Sequence, residues 1–311
     1  MKDIRIGIGC GDSGRESVDA LVGKVKQAEA AGFQAAWIPS FFQFDCLTFA
    51  ALAGRETERI EIGTAVAVTH SRHPYYMAQQ AASTHAACGG RFVLGLGPSH
   101  QVVIEGMLGL SYAKPGRHVR EYLEVLGPLS REGKVAFEGE LYRVNATLQV
   151  EGGTPFPFLI GGLGPRMREL AGRLADGSVT WMTGPKTLGE VIAPDVAGAA
   201  SAAGRPAPRI VAGFPIVLTD ELDAAREVAG KLFAMYGTLP SYRAMLDHEG
   251  LEGPGQIAMI GDEATLEAGI RRLADAGVTD LNANVIGDGK DREGSMQRTT
   301  EFLADLARRA S

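Results

Sequence analysis

Apolar positions along the chain fall into two alternating patterns. Short, nearly continuous apolar runs occupy 4–9, 35–38, 60–67, 91–97, 157–161, 177–181, 210–217 and 280–286. Most are separated by longer stretches in which apolar residues return at helical period. In Ser17–Ala31, for example, Val18, Leu21, Val22, Val25 and Ala28 share one face. Gly32 follows where a helix-terminating glycine belongs. The same junction recurs: AEAAGFQAAWI, AGRLADGSVTWM and RLADAGVTDLNANVI each join an alanine-rich helix end, a glycine and an apolar run, and HAACGGRFVLGLG is a looser version. They share a plan and not a sequence, so they are supersecondary junctions, not solenoid repeats. Uninterrupted apolar strands alternating with helices predict a mainly parallel sheet covered on both faces. Eight such units predict an α/β fold of the (β/α)8 TIM-barrel type, with its active site at the C-terminal ends of the strands. An open, doubly wound sheet is the alternative architecture.

No linker divides the chain, so 1–311 reads as a single domain. Two stretches exceed what a minimal βα unit needs. Residues 98–156 carry a predicted helix, Arg117–Leu129, and a hairpin, Ala136–Val150; residues 220–278 carry helices and the loop Gly250–Gly261. Such insertions commonly host specificity. The glycines, 41 in all, read as turn residues.

Composition narrows the function classes. With 45% hydrophobic and 22% charged residues the chain is ordinary globular material. A net charge of −6 without a basic cluster predicts no nucleic-acid partner. Cys10, Cys46 and Cys88 are far apart and lack C-x-x-C spacing, which predicts reduced thiols in a cytoplasmic protein and neither disulfides nor a metal site. The opening MKDIRIGIGCGDSG is too short in apolar residues for a signal-peptide core, and no apolar run is long enough to span a membrane.

Candidate chemistry clusters in the loops after strands. Gly9–Gly14 fits G-x-G-x-x-G, but the second strand ends Ile38-Pro39-Ser40 without the carboxylate that a ribose would need, which favours a plain glycine-rich turn. Thr69-His70-Ser71-Arg72-His73-Pro74 puts two histidines and an arginine between a strand and a proline suited to opening a helix. Gly97-Pro98-Ser99-His100 allows close backbone approach and projects two polar side chains; a tight turn with a surface histidine is the alternative. Gly161-Gly162-Leu163-Gly164-Pro165-Arg166 presents free N–H groups at a helix start, suited to phosphate, with Arg166 adding a charged contact. Trp181-Met182-Thr183 suits either the flank of a flat ring or packing at the barrel mouth. No H-E-x-x-H, G-x-S-x-G or P-loop is present. Glycine-rich rims with few ionisable groups suit chemistry supplied by a cofactor.

AGRETERIEIGTAV, RHPYYMAQQAAS, GGRFVLGLGPSH, RHVREYLEVL and LADGSVTWMTGPK together resemble the luciferase-like monooxygenase superfamily, in particular its coenzyme F420-dependent oxidoreductases of actinobacterial type. The resemblance covers nearly the whole chain. It implies a homodimeric barrel with a deazaflavin across the strand ends, backed by a non-prolyl cis peptide that would be Ala65–Val66. It implies that the loop Ser40-Phe41-Phe42-Gln43 faces the ring, although Ser40 and Phe41 stand where relatives often carry acidic or histidine groups. Gly97, Ser99, Gly161, Gly162, Leu163, Gly164 and Arg166 would hold the polyol and phosphate tail, with Trp181, Met182 and Thr183 at the ring. His70, His100 and Gln43 are the candidates to hydrogen-bond or protonate a small organic substrate. Arg72, Arg166 and Lys186 would suit the polyglutamate tail of F420. Asp45, Arg117 and Glu121 match recurrent positions and read as structural ion-pair or hydrogen-bond residues. The rival readings are an FMN-dependent monooxygenase and a non-catalytic cofactor-binding protein on the same fold.

Overall fold

The computed structural model describes residues 4–11, 16–40 and 44–310. Eight parallel strands form a closed ring: β1 (Arg5–Gly9), β2 (Ala35–Ile38), β3 (Glu61–Thr64), β4 (Phe92–Gly97), β5 (Phe158–Gly161), β6 (Gly177–Trp181), β7 (Arg209–Leu218) and β8 (Asp280–Val285). Each pairs with its neighbour in sequence. β8 returns to β1 through Arg5↔Asp280, and β6 joins β7 through Val179↔Val211. That closure excludes the open doubly wound sheet. Every strand expected from the apolar runs is present. The third is interrupted: after Thr64 the pairing lapses over Ala65 and Val66, whose peptide bond is cis, and resumes at Ala67–Val68 against β4.

Eight helices cover the ring: α1 (Val18–Ala31), α2 (Cys46–Arg55), α3 (Pro74–Ala87), α4 (Pro115–Glu132), α5 (Pro165–Leu174), α6 (Ala193–Ala202), α7 (Glu263–Asp275) and α8 (Arg292–Arg309). Their ends follow capping chemistry. Ser17 accepts the Ala20 N–H at the start of α1, and Gly32, at φ 97°, closes it in the left-handed conformation. His73 caps α3 with Pro74 at its first position. The first insertion contains α4 and an antiparallel hairpin, Lys134–Glu138 with Arg143–Thr147. The second contains helices Leu222–Leu232 and Pro240–Glu249. What reads in the sequence as the loop Gly250–Gly261 ends in a short strand, Met259–Gly261, that extends the sheet beside β7.

Strand residues alternate between two cores, as a period of two requires. Ile62, Leu94, Phe158, Ile210 and Leu281 pack outward under the helices, whereas Ala35, Trp37, Val93, Leu159, Val179 and Val211 fill the lumen. Several glycines expected at turns lie instead inside strands, because an indole crosses the lumen. A Cβ on Gly63 would sit 2.3 Å from the Trp37 ring, and one on Gly7 2.8 Å from its Nε1. Below this layer the N-terminal end is plugged by ions: Arg209 reaches Glu61 at 2.8 Å and Asp280 at 2.6 Å, and Arg5 meets the same pair at 3.1 and 3.0 Å. Burial alone would lower the Arg209 pKa, but the two carboxylates outweigh it and raise it. The N-terminal end is thus tied shut, and chemistry is left to the opposite rim. No helix among the described residues is long and apolar enough to cross a membrane.

Candidate active site

The described loops after β3, β4, β5 and β6 emerge at one pole. Leu96 pairs with Ile160, so the turns at 97–100 and 161–164 are direct neighbours at the C-terminal ends of β4 and β5. Beside them runs the Ala65–Val66 segment. The space left by the absent side chains of Gly97 and Gly161 belongs largely to Val66, since a Cβ there would lie 2.7 and 3.2 Å from its methyl groups. The missing side chains of these two glycines make room for a neighbouring protein segment. Gly164 differs. It is the N-cap of α5, makes no side-chain cap, and a Cβ on it would meet nothing within 4 Å. The helix start is uncrowded there, but Pro165 carries no N–H and the Met167 and Arg168 N–H groups donate to the Gly164 carbonyl, which leaves Arg166 as the first-turn N–H without a partner among the described residues. Leu163 is buried, and its carbonyl accepts from Arg168, which also pairs with Asp195 at 2.7 Å.

Two aromatic groups flank this rim. In the first, His70 stacks between His118, with centroids 3.9 Å apart at 25°, and Tyr112, at 5.1 Å and 23°. The Tyr112 hydroxyl donates to the Ser99 carbonyl at 2.9 Å, which pins the loop in which Ser99 holds a positive φ of 61°. His118 Nε2 lies 2.9 Å from Thr69 Oγ1, and its Nδ1 lies 3.2 Å from the hydroxyl of Tyr142 at the hairpin tip. The buried Nδ1 of His70 has no hydrogen-bond partner among the described residues. Burial lowers the His70 pKa against a backbone bond at Pro98; it brings His118 down to about 4, with His70 adding repulsion.

In the second group the His100 ring lies 5.8 Å from Tyr242, Tyr242 packs on Tyr236 at 4.9 Å, and Trp181 meets Phe233 edge-on at 5.6 Å and Tyr236 at 6.2 Å. Burial lowers His100. Met182 is buried with φ 49°, and the hydroxyl of buried Thr183 donates to the Trp181 carbonyl at 3.3 Å. Both residues belong to the turn that follows β6. Helix Pro240–Glu249 is clamped over that turn: Glu249 accepts the Thr187 N–H at 2.6 Å and Lys186 donates to the His248 carbonyl at 3.0 Å.

Several expected residues have other work. Arg72 pairs with Asp45 and Arg166 with Glu169, so with Lys186 all three cations expected to meet an anionic tail already have partners. Ser40 hydrogen bonds to the Cys46 thiol at the end of β2. Phe41 and Gln43 lie outside the described residues. Asp45 caps α2, Glu121 accepts the Leu141 and Tyr142 N–H groups at 2.7 and 3.3 Å, and Arg117 pairs with Glu140, all structural parts as expected. The sequence reading missed Tyr112, His118, Tyr142, Phe233, Tyr236 and Tyr242. One signal was available: five of the seven tyrosines fall inside the two insertions.

The chain and its fold have known relatives. The family model described as luciferase-like monooxygenase matches residues 4–288. The chain belongs to that family, and it is an enzyme. It is 30% identical over 236 residues to a 5,10-methylenetetrahydromethanopterin reductase of Archaeoglobus fulgidus, covering 73% of this chain and 68% of the other. The coenzyme F420-dependent tetrahydromethanopterin reductase of Methanopyrus kandleri superposes with a TM-score of 0.81 at 22% identity, covering 97% of both chains. The oxygenating constituent of 3,6-diketocamphane monooxygenase from Pseudomonas putida, solved with FMN, superposes at 0.74 with 17% identity, again over 97% of both.

Proposed function

We propose that this protein is an F420-dependent oxidoreductase that moves a hydride between the deazaflavin and a small organic substrate. The observation that carries the reading is one shared rim: Gly161, at the end of β5 and three residues before the N-cap of α5, packs against the Ala65–Val66 segment, and His70 and His100 stand in the loops after β3 and β4. The residues present fit such a group in two respects. The start of α5, with its dipole and the free Arg166 N–H, suits its phosphate, and the unpartnered His70 Nδ1 lies buried at the rim and leaves a polar contact to be made. The group itself would supply a ring carbon able to give or accept hydride.

The chain's own part is to bind, orient and exclude water. Trp181, Tyr236 and Tyr242 pack together into an aromatic wall that would help keep bulk solvent from a cofactor bound beside it. In this reading His100 and His70 would hold the substrate's heteroatom by hydrogen bonds and take up the proton released when the substrate gives up hydride. Because burial lowers both histidines, they are neutral at pH 7 and offer one donor and one acceptor each.

An FMN-dependent monooxygenase is the second reading, favoured by the FMN-bound neighbour of the same fold and by the absence of an unpartnered cation at Arg72, Arg166 and Lys186. A fluorescence titration with F420, FMN and NADPH decides the cofactor. Saturable binding of F420 alone supports the proposal; tight binding of FMN alone overturns it. Oxidation of reduced F420 over a panel of carbonyl and alkene substrates then tests turnover.

A further inference from the structure

The first aromatic group contains a histidine that the proposed chemistry does not use. His118 lies on α4, outside the barrel loops, and is buried to 8% exposure. Both its ring nitrogens are engaged, by Thr69 Oγ1 and the Tyr142 hydroxyl, whereas its stacking partner His70 keeps Nδ1 unpartnered. The ring of His118 is therefore fixed, and His70 lies flat against it.

What fixes His118 is the hairpin tip. Glu140 pairs with Lys114 and Arg117, Glu121 accepts the Leu141 and Tyr142 N–H groups, and Tyr142 thereby presents its hydroxyl to His118. A contiguous chain of contacts runs from the insertion to the rim of the site.

We propose that His118 is a positioning residue for His70, and that the two stacked rings, both neutral near pH 7, take up a single proton between them on acidification, which goes to His70. With centroids 3.9 Å apart, two imidazolium charges would repel strongly in a half-buried setting. One of the pair must stay neutral, and the more enclosed His118 is the member that does. The other groups facing the pair are Tyr112 on the far side of His70, Tyr122 tilted over His118 at 5.6 Å, Tyr142 at the hairpin, and the Arg72–Asp45 ion pair below the loop. None of these, among the described residues, is a carboxylate in contact with either ring that would hold a second proton. The consequence deepens the proposed function and rests on it: the substrate contact at His70 is an imidazole of fixed orientation that takes the first proton on acidification.

The test is a titration of the histidine Cε1–H resonances in the whole protein, without cofactor. The expected wild-type result is a lower midpoint belonging to His118, at about 4, and a higher one belonging to His70. In His70→Phe, which keeps a flat ring in the stack but no charge, the His118 midpoint should rise by about one pH unit, a tenfold gain in proton affinity. An unmoved His118 midpoint overturns the shared proton. The resonance of His85, which bonds the Phe92 carbonyl elsewhere in the core, reports that each variant is folded. Positioning is tested separately by turnover. His118→Ala should lose about tenfold in kcat with cofactor affinity unchanged, and His118→Phe should recover most of it. Equal loss in both variants overturns positioning through the stack. Absence of turnover in the wild type would fault the proposed function and leave the titration result standing.

Discussion

At the scale of single residues, the rim shows how burial turns ordinary side chains into specific ones. His100 sits half-buried beside Tyr242, and loss of hydration favours its neutral form. A neutral imidazole near neutral pH can accept a proton at its bare nitrogen and donate a hydrogen bond through its N–H. Replacing His100 by Ala should lower the rate of hydride transfer by about 100-fold, at the low end of what a positioned acid–base group contributes. Cofactor affinity should stay as it was, because His100 belongs to the loop that meets the aromatic wall and not to the open helix start at Gly164. Single-turnover rates alongside a fluorescence titration measure the two effects separately, and equal rates in variant and parent would remove His100 from the mechanism.

At the scale of elements, the lumen explains the placement of glycines that no turn rule anticipates. Trp37 fills the interior, and Gly7 and Gly63 are its counterparts on the adjoining strands. A Cβ at Gly63 would lie 2.3 Å from the indole, well inside contact distance. Gly63→Ala should therefore destabilise by roughly 1–3 kcal/mol through overpacking, read as a lower urea midpoint. Trp37→Phe in the same chain should return part of that loss, because the two positions share one volume. If the double variant is no better than the sum of the singles, the lumen is not where the strain lies. The same residues show what the chain makes legible. The eight strands could be read directly because burial on both faces writes them as continuous apolar runs, and α1 could be read to its caps because Ser17 and Gly32 bracket one apolar face. The part played by Gly63 or Gly97 could not, since it depends on which side chain arrives from another strand: Trp37 in one case, Val66 in the other. The aromatic walls escaped for the same reason. Tyr142, Tyr236 and Tyr242 reach the rim only through insertions held by backbone N–H groups that donate to carboxylates far off in sequence, Glu121 in one case and Glu249 in the other.

At the scale of the whole molecule, the buried histidines couple stability to pH. Burial lowers His70, His85, His100 and His118, the last to about 4 with help from repulsion by His70. In the unfolded chain each returns to about 6.5. Between its folded and unfolded values each group binds more protons when unfolded, so stability rises with pH across that window and is complete above it. On acidification the protein should start to lose stability near pH 6.5 and go on losing it down to about 4. A second decline should follow at lower pH. Burial tends to raise Asp45 and Asp288, but bonds from Thr48 and Arg72 to the first, and from the Asp291 and Lys290 N–H groups and Thr219 to the second, outweigh it and lower both. Their contribution is present above the ordinary carboxylate range of about 4 and is lost as pH falls through their lowered values. Urea midpoints at closely spaced pH values separate the two declines. His118→Phe should flatten the first, because a phenyl ring has no proton to gain on unfolding, and leave the second in place. A first decline equally steep in wild type and variant would assign it to groups other than this histidine.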